Sequence, residues 1–124
     1  MIEVTIPGLR TVSPNQHGHW LKEAARKKKE RQIVMLTFKS KLKKPPSMPV
    51  MIVLIREAIR PLDEGDNLPS SFKCIRDAIA KYLLGGTMGE NDDDPRLIWK
   101  YRQEKAKKYG IRIEFHELEQ PKGD

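Results

Sequence analysis

The run from Met48 to Ile59 constrains the fold more than any other part of the sequence. In an extended strand its apolar side chains alternate onto both faces: Val50, Ile52 and Leu54 on one, and Met51, Val53 and Ile55 on the other. A strand that is apolar on both faces is covered on both faces. The sequence therefore predicts a central strand over residues 48–59.

Hydrophobic periodicity predicts two helices around this strand. The first runs from about residue 19 to residue 40, although β-branched and aromatic residues in its second half leave a break or a strand there as an alternative. The second begins at Asp66 or Asn67, has Pro69 in its first turn and ends at Gly85-Gly86. Its apolar residues recur at helical spacing: Phe72, Ile75, Ile79 and Leu83.

Three further segments alternate apolar and polar residues as half-buried strands do. They are Ile2–Ile6, ending at Pro7-Gly8, and Leu97–Arg102 and Ile111–His116, with a hairpin expected around residues 107–110. This order of elements predicts an α+β fold, a small mixed sheet flanked by two helices, in a single domain over residues 1–124. The tail from about residue 118 is expected to be flexible.

Length and composition exclude several classes of protein. A chain of 124 residues and 14.4 kDa suits one domain, and a single cysteine, Cys74, excludes an internal disulfide framework. We expect Cys74 in the core. The longest apolar stretch, Met48–Ile55, contains Pro49 and is far shorter than the roughly 20 residues of a membrane helix. The N-terminus shows no secretory signal pattern, so the expected compartment is the cytoplasm.

The net charge of +7 is unevenly distributed along the chain. Residues 1–44 carry eleven Lys and Arg against three Glu, whereas residues 57–94 carry four Lys and Arg against nine Asp and Glu. A basic surface attracts polyanions such as nucleic acids. Carboxylates within a basic surround suit a metal-dependent enzyme acting on a phosphodiester, because the acids hold the cation and the bases hold the polyanion.

Two acidic clusters flank the second helix: Asp63, Glu64 and Asp66 before it, and Asp92, Asp93 and Asp94 after it. If the strands beside them are neighbours with the required direction, the clusters converge at one edge of the sheet. Converging carboxylates would bind a hard cation, Mg²⁺ or Mn²⁺, rather than zinc. The alternative is that these acids only cap a helix and solvate a loop.

Basic residues near these clusters are candidates for phosphate contacts. Lys73 and Arg76 in the second helix could reach a scissile phosphate, although exposed helix residues of this kind are common. A basic run in the first helix could follow a DNA backbone, or could be a solvated helix face. That run contains Lys27, Lys28, Lys29 and Arg31.

The stretch Leu62–Leu68, the helix residues Phe72–Ile79 and the loop Asp92–Arg96 together resemble the RusA family of phage-associated Holliday junction resolvases. The resemblance extends through Trp99-Lys100-Tyr101 and Ile111–Glu114, and so covers about residues 48–117. It implies a RusA-like fold in a homodimer that cleaves four-way DNA junctions symmetrically with carboxylate-bound Mg²⁺.

The resemblance assigns roles to individual residues. Asp66 matches the second acid of the family's central motif, Asn67 the asparagine beside it, and Glu64 the position where the family has Asp. The acidic loop can be aligned with Asp92, Asp93 or Asp94 as the catalytic acid; we favour Asp92, then Asp94. The family's lysine and the arginines before the first acid are matched by Lys73 and Arg60, and the resemblance implies that Arg60 and Asn67 bind DNA.

The sequence thus leads to a hypothesis and two alternatives. The hypothesis is a Mg²⁺-dependent endodeoxyribonuclease, with Mn²⁺ as a substitute, that resolves branched DNA in recombination and repair and needs no membrane or small-molecule cofactor. The first alternative is a cleavage-deficient module of the same fold that binds branched or single-stranded DNA, and the Glu64 exchange is the feature that supports it. The second is a basic interaction protein whose acids are only caps and loops.

Overall fold

The computed structural model describes residues 1–11, 20–62 and 67–119. Four strands and three helices follow one another in the order β1 (Ile2–Pro7), α1 (Trp20–Lys41), β2 (Val50–Ala58), α2 (Asn67–Ser71), α3 (Lys73–Leu84), β3 (Leu97–Lys105) and β4 (Gly110–Glu117). They form a small α+β domain, as predicted. None of the described helices is long and apolar enough to cross a membrane.

The sheet has the order β1-β4-β2-β3, so β2 lies between two neighbours as its two apolar faces predicted. It pairs parallel to β3 and antiparallel to β4, which makes the sheet mixed. The predicted hairpin between the last two strands is wrong, because β2 separates them. Residues 106–109 instead carry the chain past the end of β2, where the Ala106 amide donates to the Ala58 carbonyl.

The first helix is continuous, so the alternative of a break or strand in its second half is wrong. Val34 and Phe38 are fully buried one turn apart, and Glu30 continues the same buried stripe toward the N-terminus. This stripe packs on the sheet face that carries Ile52 and Leu54. Burial of one helical stripe outweighs the modest helix propensity of the β-branched residues.

The second predicted helix is two helices, α2 and α3, separated at the fully buried Phe72. The Phe72 amide donates to the Pro69 carbonyl three residues back, and the Ser71 hydroxyl donates to the Leu68 carbonyl. These short-range bonds replace the i to i−4 pattern and tighten the chain there. The sequence predicted two flanking helices, and the described part of the structure has two long helices and one short one.

The three described helices cover one face of the sheet, and none of them lies on the other face. Phe72 between α2 and α3, Ile75 and Ile79 of α3 and Phe38 of α1 share one core cluster with the alternate residues of β2. The predicted tail beyond residue 118 lies, apart from Leu118 and Glu119, outside the described residues.

Candidate functional site

A cleft of about 550 Å³ lies between the first half of α1 and the junction of α2 with α3. Its walls also include Asp92, from the loop before β3, and Tyr101 of β3. Seven charged side chains of the described residues line it: Glu23, Arg26, Lys27, Glu30, Lys73, Arg76 and Asp92. Four of these seven are cationic, so the described part of the cleft combines carboxylates with cations.

Asp92 is the acid that this cleft holds most firmly. Its carboxylate Oδ2 accepts a hydrogen bond from Lys73 Nζ at 2.8 Å and forms an ion pair with Arg76 Nε at 3.2 Å. Its backbone carbonyl accepts from the Trp99 indole at 2.8 Å and from Arg76 Nη2 at 3.2 Å. Burial raises the pKa of Asp92, but the Lys73 hydrogen bond and the charges of Lys73 and Arg76 outweigh it and hold the pKa below its usual range.

Lys73 stands in the first turn of α3 and joins two carboxylates. Its ammonium lies 2.8 Å from Asp92 and 3.0 Å from Asp77 one turn along the helix. The Asp92 hydrogen bond raises the pKa of Lys73, against the opposing effect of burial and with a further contribution from Asp77. The sequence analysis placed Lys73 at this site, but it did not single out Asp77, which the i, i+4 spacing could have indicated.

Arg76 is fixed between the helix and the edge strand. Its guanidinium lies 4.8 Å from the ring centre of Trp99, and Nη1 donates to the Tyr101 hydroxyl at 2.7 Å. A stacked and hydrogen-bonded guanidinium loses little further side-chain freedom on binding an anion. Arg76 is therefore an ordered cation at the cleft rather than a freely moving one.

The opposite wall of the cleft contains an acid that the sequence analysis did not single out. Glu30 of α1 is 3% exposed and bonded to Arg26, while its second oxygen, Oε1, has no partner among the described residues. Burial raises the pKa of Glu30 and Arg26 opposes it. The neighbouring Cys74 is 9% exposed, which confirms the predicted burial, and burial raises the pKa of its thiol.

The remaining acids of the second cluster are not brought to the same point. The Asp94 carboxylate binds Arg96 through both of its oxygens, at 3.0 Å each, and accepts the Arg96 amide at 2.9 Å. Asp93 is exposed on the turn. Of the three candidate acids of this loop, the structure brings only Asp92 beside Lys73.

Asp63, Glu64 and Asp66 lie outside the described residues. The two neighbouring strands are parallel, and the register pairs Val50 with Leu97 and Ala58 with Lys105. The end of β2 and the beginning of β3 are therefore at opposite ends of the pair, so strand direction alone does not bring the two acidic clusters together. The chain before the undescribed segment lies along β3, where Leu62 exchanges two hydrogen bonds with the Gln103 amide at 2.9 and 2.8 Å.

The predicted basic residues fall in several places. Lys27 lines the cleft, whereas Lys28 and Arg31 line a separate groove with Leu36, because successive helix residues point about 100° apart. Lys29 is exposed. The other two predicted DNA-binding positions are Asn67, the first residue of α2, and Arg60, in a smaller pocket at the far end of β3.

Among the described residues, no three His, Cys, Asp or Glu side chains are grouped closely enough to hold a metal ion. Comparisons of the sequence with protein-family models and with curated proteins find no match. The candidate site therefore rests on the geometry of this chain alone.

Proposed function

We propose that the protein is a Mg²⁺-dependent endodeoxyribonuclease that resolves four-way DNA junctions as a homodimer. The observation that carries the proposal is the cleft in which Asp92 meets Lys73 and Arg76, opposite Lys27. A carboxylate beside several fixed cations suits the hydrolysis of a phosphodiester, since charge develops on the phosphate oxygens in the transition state. The family resemblance supports the choice of branched DNA as substrate.

The described part of the chain supplies only some of the oxygens that Mg²⁺ requires. Asp92 offers a carboxylate, and Asp77 faces the same lysine ammonium, so a positive charge is favoured between them. The proposal assigns the other ligands to Glu64 and Asp66, outside the described residues. When bound, Mg²⁺ would activate water for attack on phosphorus and stabilise the leaving oxygen.

The chain's own residues have distinct tasks in this proposal. Arg76, fixed by Trp99 and Tyr101, binds a non-bridging oxygen of the scissile phosphate, and Lys27 binds the backbone from the opposite wall. Lys73 orients the Asp92 carboxylate and then neutralises charge on the phosphate. Paired nicks in opposing strands require two such sites related by a two-fold axis, which is the reason to propose a homodimer.

One observation favours the cleavage-deficient alternative. The Asp92 carboxylate is already bound by Lys73 and Arg76, so a metal ion must compete with two positive side chains for it. A protein that only bound branched DNA could keep this arrangement permanently. Cleavage and binding must therefore be measured separately.

The test is a cleavage assay on a labelled four-way junction and on a linear duplex of the same sequence, with Mg²⁺ and with EDTA. We expect paired nicks near the crossover in the junction only, and none with EDTA or with Asp66→Asn, which should still bind the junction. Asp93→Asn, an exposed acid of the same loop as Asp92, is the matched control. Equal cleavage by Asp66→Asn and wild type would overturn the assignment, and junction binding without any nicks would support the cleavage-deficient module.

A further inference from the structure

Arg56 of β2 is a buried cation without an acidic partner among the described residues. The residue is 5% exposed, and its guanidinium donates to two neutral acceptors, Thr11 Oγ1 at 3.2 Å and the Arg60 carbonyl at 2.8 Å. No described carboxylate forms an ion pair with it, and the ionisable neighbours that affect its pKa are Tyr109 and Arg10. Buried charges in folded proteins are usually paired, so this position suits a bound anion.

The guanidinium also has a side open to such an anion. Its third nitrogen, Nη2, makes no bond to a described residue and is not among the fully enclosed polar atoms. Burial lowers the pKa of Arg56, with Arg10 adding to the effect and Tyr109 opposing it. A bound anion would relieve this unfavourable burial of charge.

A pocket of about 230 Å³ adjoins Arg56 and carries two more cations, Arg60 and Lys105. Both side chains belong to exposed residues, so they can close over a ligand from the solvent side. The acid that lines the pocket, Glu104, is held by two hydrogen bonds of 2.8 Å from Arg112. The described part of the pocket thus presents three cations and one neutralised acid, which is the composition of a phosphate site.

The pocket lies at the far end of β3 from the Asp92 cleft. A shallow groove lined by Leu68, Pro69 and residues 99–103 joins the two, sharing Tyr101 with the cleft and Gln103 with the pocket. Six residues of strand separate Trp99 from Lys105, about 20 Å at 3.3 Å per residue. At about 3.4 Å per nucleotide of one strand, that distance corresponds to roughly six nucleotides.

We propose that Arg56, Arg60 and Lys105 form a second phosphate site that binds the DNA backbone about six nucleotides from the cleaved bond. This rests on the proposed function for the identity of the ligand. Arg56 supplies the fixed, desolvated contact, and the two exposed cations supply most of the salt-dependent attraction.

The experiment measures binding of a labelled four-way junction in EDTA as a function of salt, with Arg60→Gln/Lys105→Gln, Arg56→Gln and the wild type. The matched control, Lys43→Gln/Lys44→Gln, removes the same charge from the loop before β2, at the other end of the sheet. We expect the slope of log affinity against log salt to fall by about 0.9 for each phosphate that the protein no longer neutralises, and more in the site variants than in the control. Methylphosphonate substitution about six nucleotides from the nick should weaken wild-type binding more than that of Arg60→Gln/Lys105→Gln, which keeps only Arg56 at the site.

The outcomes separate this inference from the proposed function. Equal slopes for Arg60→Gln/Lys105→Gln and the control, both folded by circular dichroism, would overturn the second site even if the wild type cleaves junctions. A reduced slope in a wild-type background that binds but never cleaves would support the second site and overturn the nuclease. Arg56→Gln tests the buried cation itself, and the surface pair keeps the test valid if that variant does not fold.

Discussion

Two charged clusters of this protein differ in what they can do. The sheet-face network consists of the ion-paired residues on the sheet face away from the described helices: Glu57, Arg102, Glu104, Arg112, Glu114 and His116. Its longest-range pairs join β3 and β4 across the intervening β2, as when Arg112 binds Glu104 at 2.8 Å and Arg102 approaches Glu114 at 3.4 Å. In the Asp92 cleft the partners come instead from α1, α3 and a loop.

The comparison shows that ion pairs do not by themselves mark a functional site. The sheet-face network lies on a strand surface and shields two apolar residues beneath it, Val53 at 6% and Ile55 at 0% exposure. The cleft surrounds a volume of about 550 Å³, and four cations and three carboxylates of the described residues line it. Only a concave cluster can surround a phosphate, so we assign a structural role to the network and a functional role to the cleft.

The largest expected effect tests whether the network truly encloses an apolar layer. Ile55→Ala should lower the free energy of unfolding by about 2–5 kcal/mol, because a fully buried isoleucine leaves a cavity. Ile98→Ala, on the same face at 40% exposure, is the control and should change it by less than about 1 kcal/mol. Urea denaturation measures the free energy of unfolding of both variants. Similar small losses for the two variants would mean that the charged side chains do not seal this face.

The second-largest expected effect is on DNA cleavage and tests the Asp92 cleft. Asp92→Asn should reduce junction cleavage in Mg²⁺ by roughly 100-fold, since it removes a carboxylate at the reacting phosphate. Junction binding should be retained, because the cations of the cleft remain. Glu104→Gln, in the sheet-face network, serves as the matched control and should cleave at the wild-type rate. Loss of cleavage in both variants, or in neither, would remove the functional distinction between the clusters.

Local patterns predicted most of the fold. The apolar faces of β2 required a central strand, and the spacing of Ile75 and Ile79 required a helix, because burial of one face dominates short-range conformational choice. The pairing of β4 with β2 could not be read from the sequence, since alternation gives the faces of a strand but not its neighbours. The break at Phe72 depends on two bonds within the turn, from the Ser71 hydroxyl to the Leu68 carbonyl and from the Phe72 amide to the Pro69 carbonyl.

The candidate site was predictable in part for a similar reason. Lys73, Arg76 and Asp92 were chosen by residue type and resemblance, and the structure places them in contact. Glu30 was missed because glutamate is rarely buried, although its i, i+4 spacing from Val34 and Phe38 places it on the buried stripe of α1. The Arg56 site could not be predicted from sequence spacing. It depends on the tertiary structure, in which no described carboxylate lies beside the buried guanidinium.

A smaller effect concerns how Lys73 controls Asp92. Because the pKa of Asp92 is lowered in the fold, its carboxylate contributes stability that is present above the unfolded pKa and lost as pH falls through the folded pKa. Lys73→Gln should raise the pKa of Asp92, so that this loss occurs at higher pH. The free energy of unfolding should change by less than about 1 kcal/mol, since the lysine is 58% exposed. Thermal unfolding across the acid range measures the shift, with Lys81→Gln as control. If the Tm of Lys73→Gln fell with decreasing pH as that of the wild type does, Arg76 alone would set the pKa of Asp92.

The smallest effect compares two glutamates whose pKa values move in opposite directions. Burial raises the pKa of Glu30 in the cleft, whereas the Arg112 hydrogen bond lowers the pKa of Glu104 in the sheet-face network. Stability from Glu30 is present at low pH and lost as pH rises through its folded pKa, and Glu104 shows the reverse. Glu30→Gln should therefore raise the Tm at neutral pH, while Glu104→Gln should lower it slightly because that pair is exposed to solvent. Scanning calorimetry from about pH 3 to pH 8 checks both signs, and a Tm change of the same sign at neutral pH would show that burial does not distinguish the two clusters.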